Sequence, residues 1–120
     1  MVEIKDLGGN LLLRFEGATL VRADLKRRKL RGGNFRGQDL SGADLDHADC
    51  SGADFTGANL SGAMLAHCQF KEAILDGADL RGADMERVNL EGASIQGAKI
   101  NGETRMFKLR ADGAKGEFDV

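Results

Sequence analysis

From Leu20 to Ile100 an apolar residue returns at every fifth position: Leu20, Leu25, Leu30, Phe35, Leu40, Leu45, Cys50, Phe55, Leu60, Leu65, Phe70, Leu75, Leu80, Met85, Leu90, Ile95 and Ile100. Two residues before each centre the chain is mostly Ala, as at Ala43, Ala48, Ala53 and Ala58. The residue between is commonly Asp or Asn, and two residues after the centre stands, in most repeats, a Gly. A step of five turns about 500° on an α-helix, so the centres share no helical face. On a flat strand an odd step sends alternate centres to opposite faces. The pattern therefore predicts a backbone that turns at the same interval. In each short extended side, the centre and the small residue two places before it point inward, and the Asp or Asn between them points out. Stacked sides then pair as parallel strands about 4.8 Å apart. No single circuit buries its own interior, so stability comes from stacked neighbours.

The position two after each centre supplies the number of sides. Eleven of the seventeen are Gly; the exceptions are Arg22, Arg27, His47, His67, Glu72 and Arg87. Arg27, His47, His67 and Arg87 are spaced by twenty, as are Gly37, Gly57, Gly77 and Gly97, and Phe15, Phe35 and Phe55. Twenty residues of five-residue sides make four sides per circuit. The run "SGADF", "TGANL", "RGADM" resembles the pentapeptide-repeat proteins, whose consensus is A-(D/N)-L-x-x. The resemblance covers residues 18–102 and implies an all-β fold, a right-handed quadrilateral parallel β-solenoid of about four coils. It also implies one possible activity: some members bind type II topoisomerases as mimics of duplex DNA.

The ends differ from the repeat. Residues 1–17, with "VEIKD" and "LLLRFEG" around a Gly-Gly-Asn turn, read as an N-terminal β-hairpin cap. Residues 103–120 leave the five-residue frame. Met106, Phe107, Leu109, Phe118 and Val120 suit either a C-terminal cap, with a second hairpin through Asp112-Gly113, or a homodimerisation segment.

Composition narrows the class. The 120 residues include no Trp, Tyr or Pro and seventeen Gly, and the strict timing of the apolar residues argues against disorder. The net charge is −2, but residues 1–40 carry +4 and residues 41–120 carry −6. The N-terminus lacks a signal-peptide pattern and no stretch has the length of a membrane span, so a cytoplasmic protein with reduced thiols and no membrane insertion is expected.

Three constellations carry candidate chemistry. Arg22, Lys26, Arg27, Arg28, Lys29, Arg31 and Arg36 form a basic cluster opposed in sequence only by Asp24. It suits an anion-docking patch or a charged end that blocks polymerisation. Arg28 falls in an inward slot that a lone charge cannot fill. The corner column of His47, His67 and Arg87, with Arg27 ahead, suits polar corner residues and, less well, a metal site. Its lack of Gly predicts a turn without positive φ. Cys50 and Cys68 read as buried small residues about 8 Å apart at Cα, beyond disulfide reach. No nucleotide fingerprint or catalytic triad is present, and a filled tube has no cleft. The chain thus reads as a non-catalytic scaffold without cofactor or small-molecule substrate, presenting its outer faces to a macromolecular partner, most simply a protein. DNA mimicry is the second reading. Residues 41–102 carry −6, about half the charge of duplex DNA over roughly 20 Å.

Overall fold

A computed structural model describes residues 1–120 and contains β-structure and turns but no helix. The five-residue period becomes a tube. Parallel bridges join Asp24 to Asp44, Asp44 to Met64 and Met64 to Asp84. Three further columns, starting at Lys29, Asn34 and Asp39, take the same twenty-residue step. Numbering the sides by these columns, side 1 starts at Asp24, side 2 at Lys29, side 3 at Asn34 and side 4 at Asp39.

One repeat shows why the sequence has this form. The Ala48 N–H donates to the Leu45 C=O at 2.9 Å and closes the corner. Asp49 N–H donates back one rung to Arg28 C=O, and Cys50 N–H forward to Gln69 C=O. Gly52 N–H also donates forward, to Lys71 C=O. Only Ser51 N–H has no backbone acceptor, and the Asp49 side chain accepts from it through Oδ1 at 3.1 Å. Buried or crowded backbone donors must find acceptors, and an Asp or Asn side chain reaches the N–H two residues on. The same Asx turn recurs at Asp39, Asp44, Asp54, Asn59, Asp79, Asp84 and Asn89.

The interior is filled by the centres and the small residues. Every centre from Leu20 to Leu90 is at most 1% exposed, and Ala43 to Ala98 line the corners. Stacking follows from the twenty-residue step: the Phe35 and Phe55 rings lie parallel with centroids 4.6 Å apart, and Phe70 meets Phe55 edge-on at 5.3 Å. Such pairs add about 0.5–1.5 kcal/mol to plain burial.

At the N-terminal end, β1 (Val2–Lys5) and β2 (Leu11–Phe15) form an antiparallel hairpin with Ile4 opposite Leu13. Asp6 Oδ1 holds the turn by accepting from the Gly8 and Asn10 N–H groups. Ile4 and Leu13 are buried in the common core. The hairpin edge pairs with side 3: Asn34 N–H donates to Lys5 C=O and Leu7 N–H to Gly32 C=O.

The C-terminal end departs from the expected hairpin. No reversal occurs at Asp112-Gly113; instead Arg105, Arg110, Lys115 and Asp119 bridge in parallel to Asp84, Asn89, Ser94 and Lys99. The ladder runs on because one extra residue is inserted and one later omitted. Asp84 to Arg105 is a step of 21, as are Asn89 to Arg110 and Ser94 to Lys115, whereas Lys99 to Asp119 is again 20. Asn101 marks the insertion, where its Oδ1 accepts from Gly82 N–H and replaces the usual ladder carbonyl. The omission falls after Lys115, at Gly116, whose φ is 93°. A Cβ there would lie 2.8 Å from the backbone N and Cα of Gln96.

Gly116→Ala is expected to strip the last circuit, because both the positive φ and the clash oppose it. Gly57→Ala meets nothing within 4 Å at φ 67° and should lose only the left-handed penalty, roughly 1–2 kcal/mol. Urea unfolding of both variants tests the ranking; equal midpoints would contradict the close approach at Gly116.

Candidate functional site

The tube encloses no cleft, since its axis is occupied by side chains. Surface depressions are open, such as that between Arg81, Lys99, Ile100, Asp119 and Val120 at the C-terminal end. The charged and polar side chains lie on the outer columns and corners.

The basic cluster of the first circuit is more neutralised than its sequence implies. Lys26 pairs with Asp24 at 2.9 Å and approaches Asp44 at 4.0 Å. Arg31 pairs with Asp49 at 3.3 Å and Arg36 with Asp54 at 2.9 Å, both partners eighteen residues on and one rung down. Asp24 is therefore not the cluster's sole opponent: Asp44, Asp49 and Asp54 of the next rung oppose it as well. A side chain on the first turn residue sits above the outward residue of the next rung, so the twenty-residue period contained this signal. Arg22, Arg27, Arg28 and Lys29 make no ion pair and remain exposed. Arg28 leaves its inward slot and is turned out to solvent, yet its backbone keeps the corner bond to Leu25.

Asp54 is the most enclosed charge, 6% exposed. Burial pushes its carboxyl up, but donors from the Thr56 hydroxyl, the Thr56 N–H and the Arg36 guanidinium outweigh that and hold it below its ordinary 3.8. Asp49 is lowered in the same way by Ser51 and Arg31 against burial. The bidentate Arg81 guanidinium lowers Asp79.

The corner between sides 1 and 2 carries Arg27, His47, His67, Arg87 and Lys108. Their φ angles are 62°, 60°, 60°, 58° and 56°. The expectation of a turn without positive φ is thus wrong. The corner bond from residue i+3 to residue i is the same as at the Gly corners, and these corners share with them positive φ at the third residue, the type II form. Each L-residue here bears about 1–2 kcal/mol that Gly would avoid. The His47 and His67 rings stack at 4.4 Å and 12°. His47 Nδ1 lies 3.3 Å from Asp46 Oδ1, an oxygen with no other partner. Parallel rings do not converge two nitrogens on one point, and no three His, Cys, Asp or Glu side chains gather to hold a metal ion.

Cys50 and Cys68 are both fully buried free thiols inside side 2. Burial, then the neighbouring Cys50 thiol, pushes Cys68 well above the ordinary thiol range. Both sulfurs are closed off from solvent, and the raised Cys68 thiol stays protonated and is no nucleophile.

A four-sided parallel β-solenoid with a filled axis is the class this geometry defines. The pentapeptide-repeat family model matches in eight copies over residues 34–68 and 63–102, and the chain belongs to that family. No curated protein sequence matches it. Among solved structures it is similar to a pentapeptide repeat protein of the Arabidopsis thaliana thylakoid lumen, at 28% identity over 81% of this chain and a TM-score of 0.51. It is also similar to HetL of Nostoc sp. strain PCC 7120, a protein involved in heterocyst differentiation regulation, at 27% over 82% with a TM-score of 0.52. QnrB1, a plasmid-mediated fluoroquinolone resistance protein, matches at 27% over 77% with a TM-score of 0.58. The chain spans 63%, 46% and 43% of those three proteins, less than two thirds of each.

Acid should expose the carboxylate contribution. Because the fold lowers Asp54, its stabilisation is full above 3.8 and is lost as the pH falls below that value toward the lower folded one. Arg36→Ala should reduce the drop in urea midpoint between about pH 5 and pH 3. An unchanged pH dependence would show that the pair contributes nothing.

Proposed function

We propose that this protein is a non-catalytic scaffold, wound as the right-handed coil of its family, that presents its outer columns to a macromolecular partner, most simply another protein. The carrying observation is the filled axis: with every centre from Leu20 to Ile95 buried, no enclosed surface remains for a substrate. The faces are ruled by the bridge ladder, so outward side chains stand at fixed intervals on a rigid support. The unpaired cations Arg22, Arg27, Arg28 and Lys29 add an anion-mediated component at the first circuit. Cytoplasmic residence and reduced Cys50 and Cys68 belong to the same reading. At the other end the same reading seats a second copy of the chain. Met106, Leu109 and Phe118 are only half-buried there and Val120 is 98% exposed, over an uncovered strand edge.

DNA mimicry toward a type II topoisomerase is the second reading, favoured by the likeness to QnrB1 in fold alone. The charge pattern speaks against it. The acids of side 1 are interrupted by Met64 and Arg105 and those of side 4 by Asn59 and Lys99, while side 2 carries Lys29 and Arg110, so no continuous acidic surface forms.

Sets of outward substitutions on each side, compared by affinity capture and mass spectrometry, test the reading. One set should lose a partner that the others keep. If all sets retain the same partners, the outer-face scaffold is wrong. For the C-terminal end, sedimentation should show a dimer that Val120→Asp with Phe118→Asp converts to monomer; a monomeric wild type would remove that proposal.

A further inference from the structure

The corner column of positive-φ residues is a candidate for a second, more specific task. The other three corners are built mainly of Gly, as at Gly37, Gly57, Gly77 and Gly97. This one keeps a side chain in a left-handed conformation on five successive rungs, and every one of those side chains is cationic or an imidazole. Persistent local strain points to a use for the side chains. An aromatic ring joins the line at its lower end: Phe107 is 63% exposed, contributes nothing to the core, and has the Lys108 ammonium 5.4 Å from its centroid.

We propose that the edge through Arg27, His47, His67, Arg87 and Lys108, ending at Phe107, binds single-stranded nucleic acid. This goes beyond the outer-face reading, which seats a protein, by giving one edge a ligand of different chemistry. Cations that track a phosphate chain beside planar rings that stack on bases are the two elements of sequence-tolerant single-strand binding. An acidic peptide would need the cations but not Phe107. A duplex would bring a second strand that a convex edge about 19 Å long, five rungs at roughly 4.8 Å, leaves without contacts. Acids on side 1, Asp44, Asp46, Asp84 and Glu86, border the edge on one flank. They repel a phosphate chain toward side 2, where Asp49 and Glu91 are already paired with Arg31 and Arg110. Gln69 and Asn89, joined by an amide hydrogen bond of 3.1 Å, stand in the middle of that side and offer neutral polar contacts.

Fluorescence anisotropy with a labelled oligothymidylate of about twelve nucleotides tests the proposal. With three fixed cations on the phosphates, the slope of log K against log salt is expected near −2. The combined variant Arg27→Gly, Arg87→Gly and Lys108→Gly should weaken binding at least about tenfold and flatten the slope. Gly is the residue of the neighbouring corners, so these substitutions relieve strain and keep the ladder. Phe107→Ala should weaken binding without changing the slope. Arg81→Ala with Lys99→Ala, on side 4 and its corner, should change neither. No binding at low salt overturns the proposal. So does unchanged binding by the triple Gly variant, equal binding of a duplex of the same length, or equal binding of an oligoglutamate. Any of these outcomes leaves partner capture by the other sides untouched, so the scaffold reading stands or falls on its own test.

Discussion

The backbone ladder closes because each circuit of the tube returns after twenty residues, bringing Leu25 N–H to Asp44 C=O and Asp44 N–H to Ala23 C=O. Every other regularity is a consequence. The ring stack of Phe35 on Phe55 and that of His47 on His67 both join residues twenty apart. The pairs Arg31–Asp49 and Arg36–Asp54 join residues eighteen apart, because the turn residue overhangs the next rung. The one donor per repeat that the ladder cannot reach explains the Asp or Asn. Where that residue is Ser94, the side chain of Asp76 in the rung above supplies the acceptor for Gln96 N–H instead. A chain that slipped by a single residue would break the ladder and bury its outward Asp column together.

The C-terminal circuit shows how such a slip is accommodated. The insertion at Asn101 moves the following residues one place out of frame. A reading by fives then places Arg105 and Arg110 at inward centres and takes the repeat to have ended. In the structure Met106 takes the inward position instead. Residue sizes also change there: Leu109 occupies a slot held by Ala48, Cys68 and Val88 in earlier rungs, and Gly116 one held by Ile95 and Leu75. The physical pattern survives while its sequence signature does not. Over residues 18–102 the opposite holds, since frame, size alternation and Asx turn coincide and the architecture is legible from spacing alone.

The outer surface was less legible, for two reasons. Along the chain Arg22 to Arg36 form one block of charge, but the tube sorts residues by column and places acids from the next circuit beneath that block. Absence of Gly at His47 and His67 implies no absence of positive φ, because all four columns share that corner geometry and the side chains bear it. A fold that repeats the same left-handed dihedral at nearly every corner converts residue choice there into an energetic statement. Glu72 stands alone between Gly52 and Gly92 in its column, but the corner of sides 1 and 2 holds no Gly at all.

The two ends divide the hazards of an open solenoid between them. At the N-terminal end β1 and β2 bury Ile4 and Leu13 over the first circuit, and the hairpin takes up the side 3 edge at Lys5 and Asn34. The other edges of that circuit carry Lys26, Arg28 and Lys29, whose exposed charges would be desolvated by any tube stacking on them. At the last circuit Met106, Leu109 and Phe118 pack against the core but stay only partly buried, beside the small Ala111, Ala114 and Gly116. Head-to-tail growth needs both ends to be sticky, and one here is blocked. An association through the remaining end then closes on itself as a pair and cannot propagate, which is the constraint that isologous contacts obey. Keeping one end charged and the other apolar therefore limits assembly without covering both.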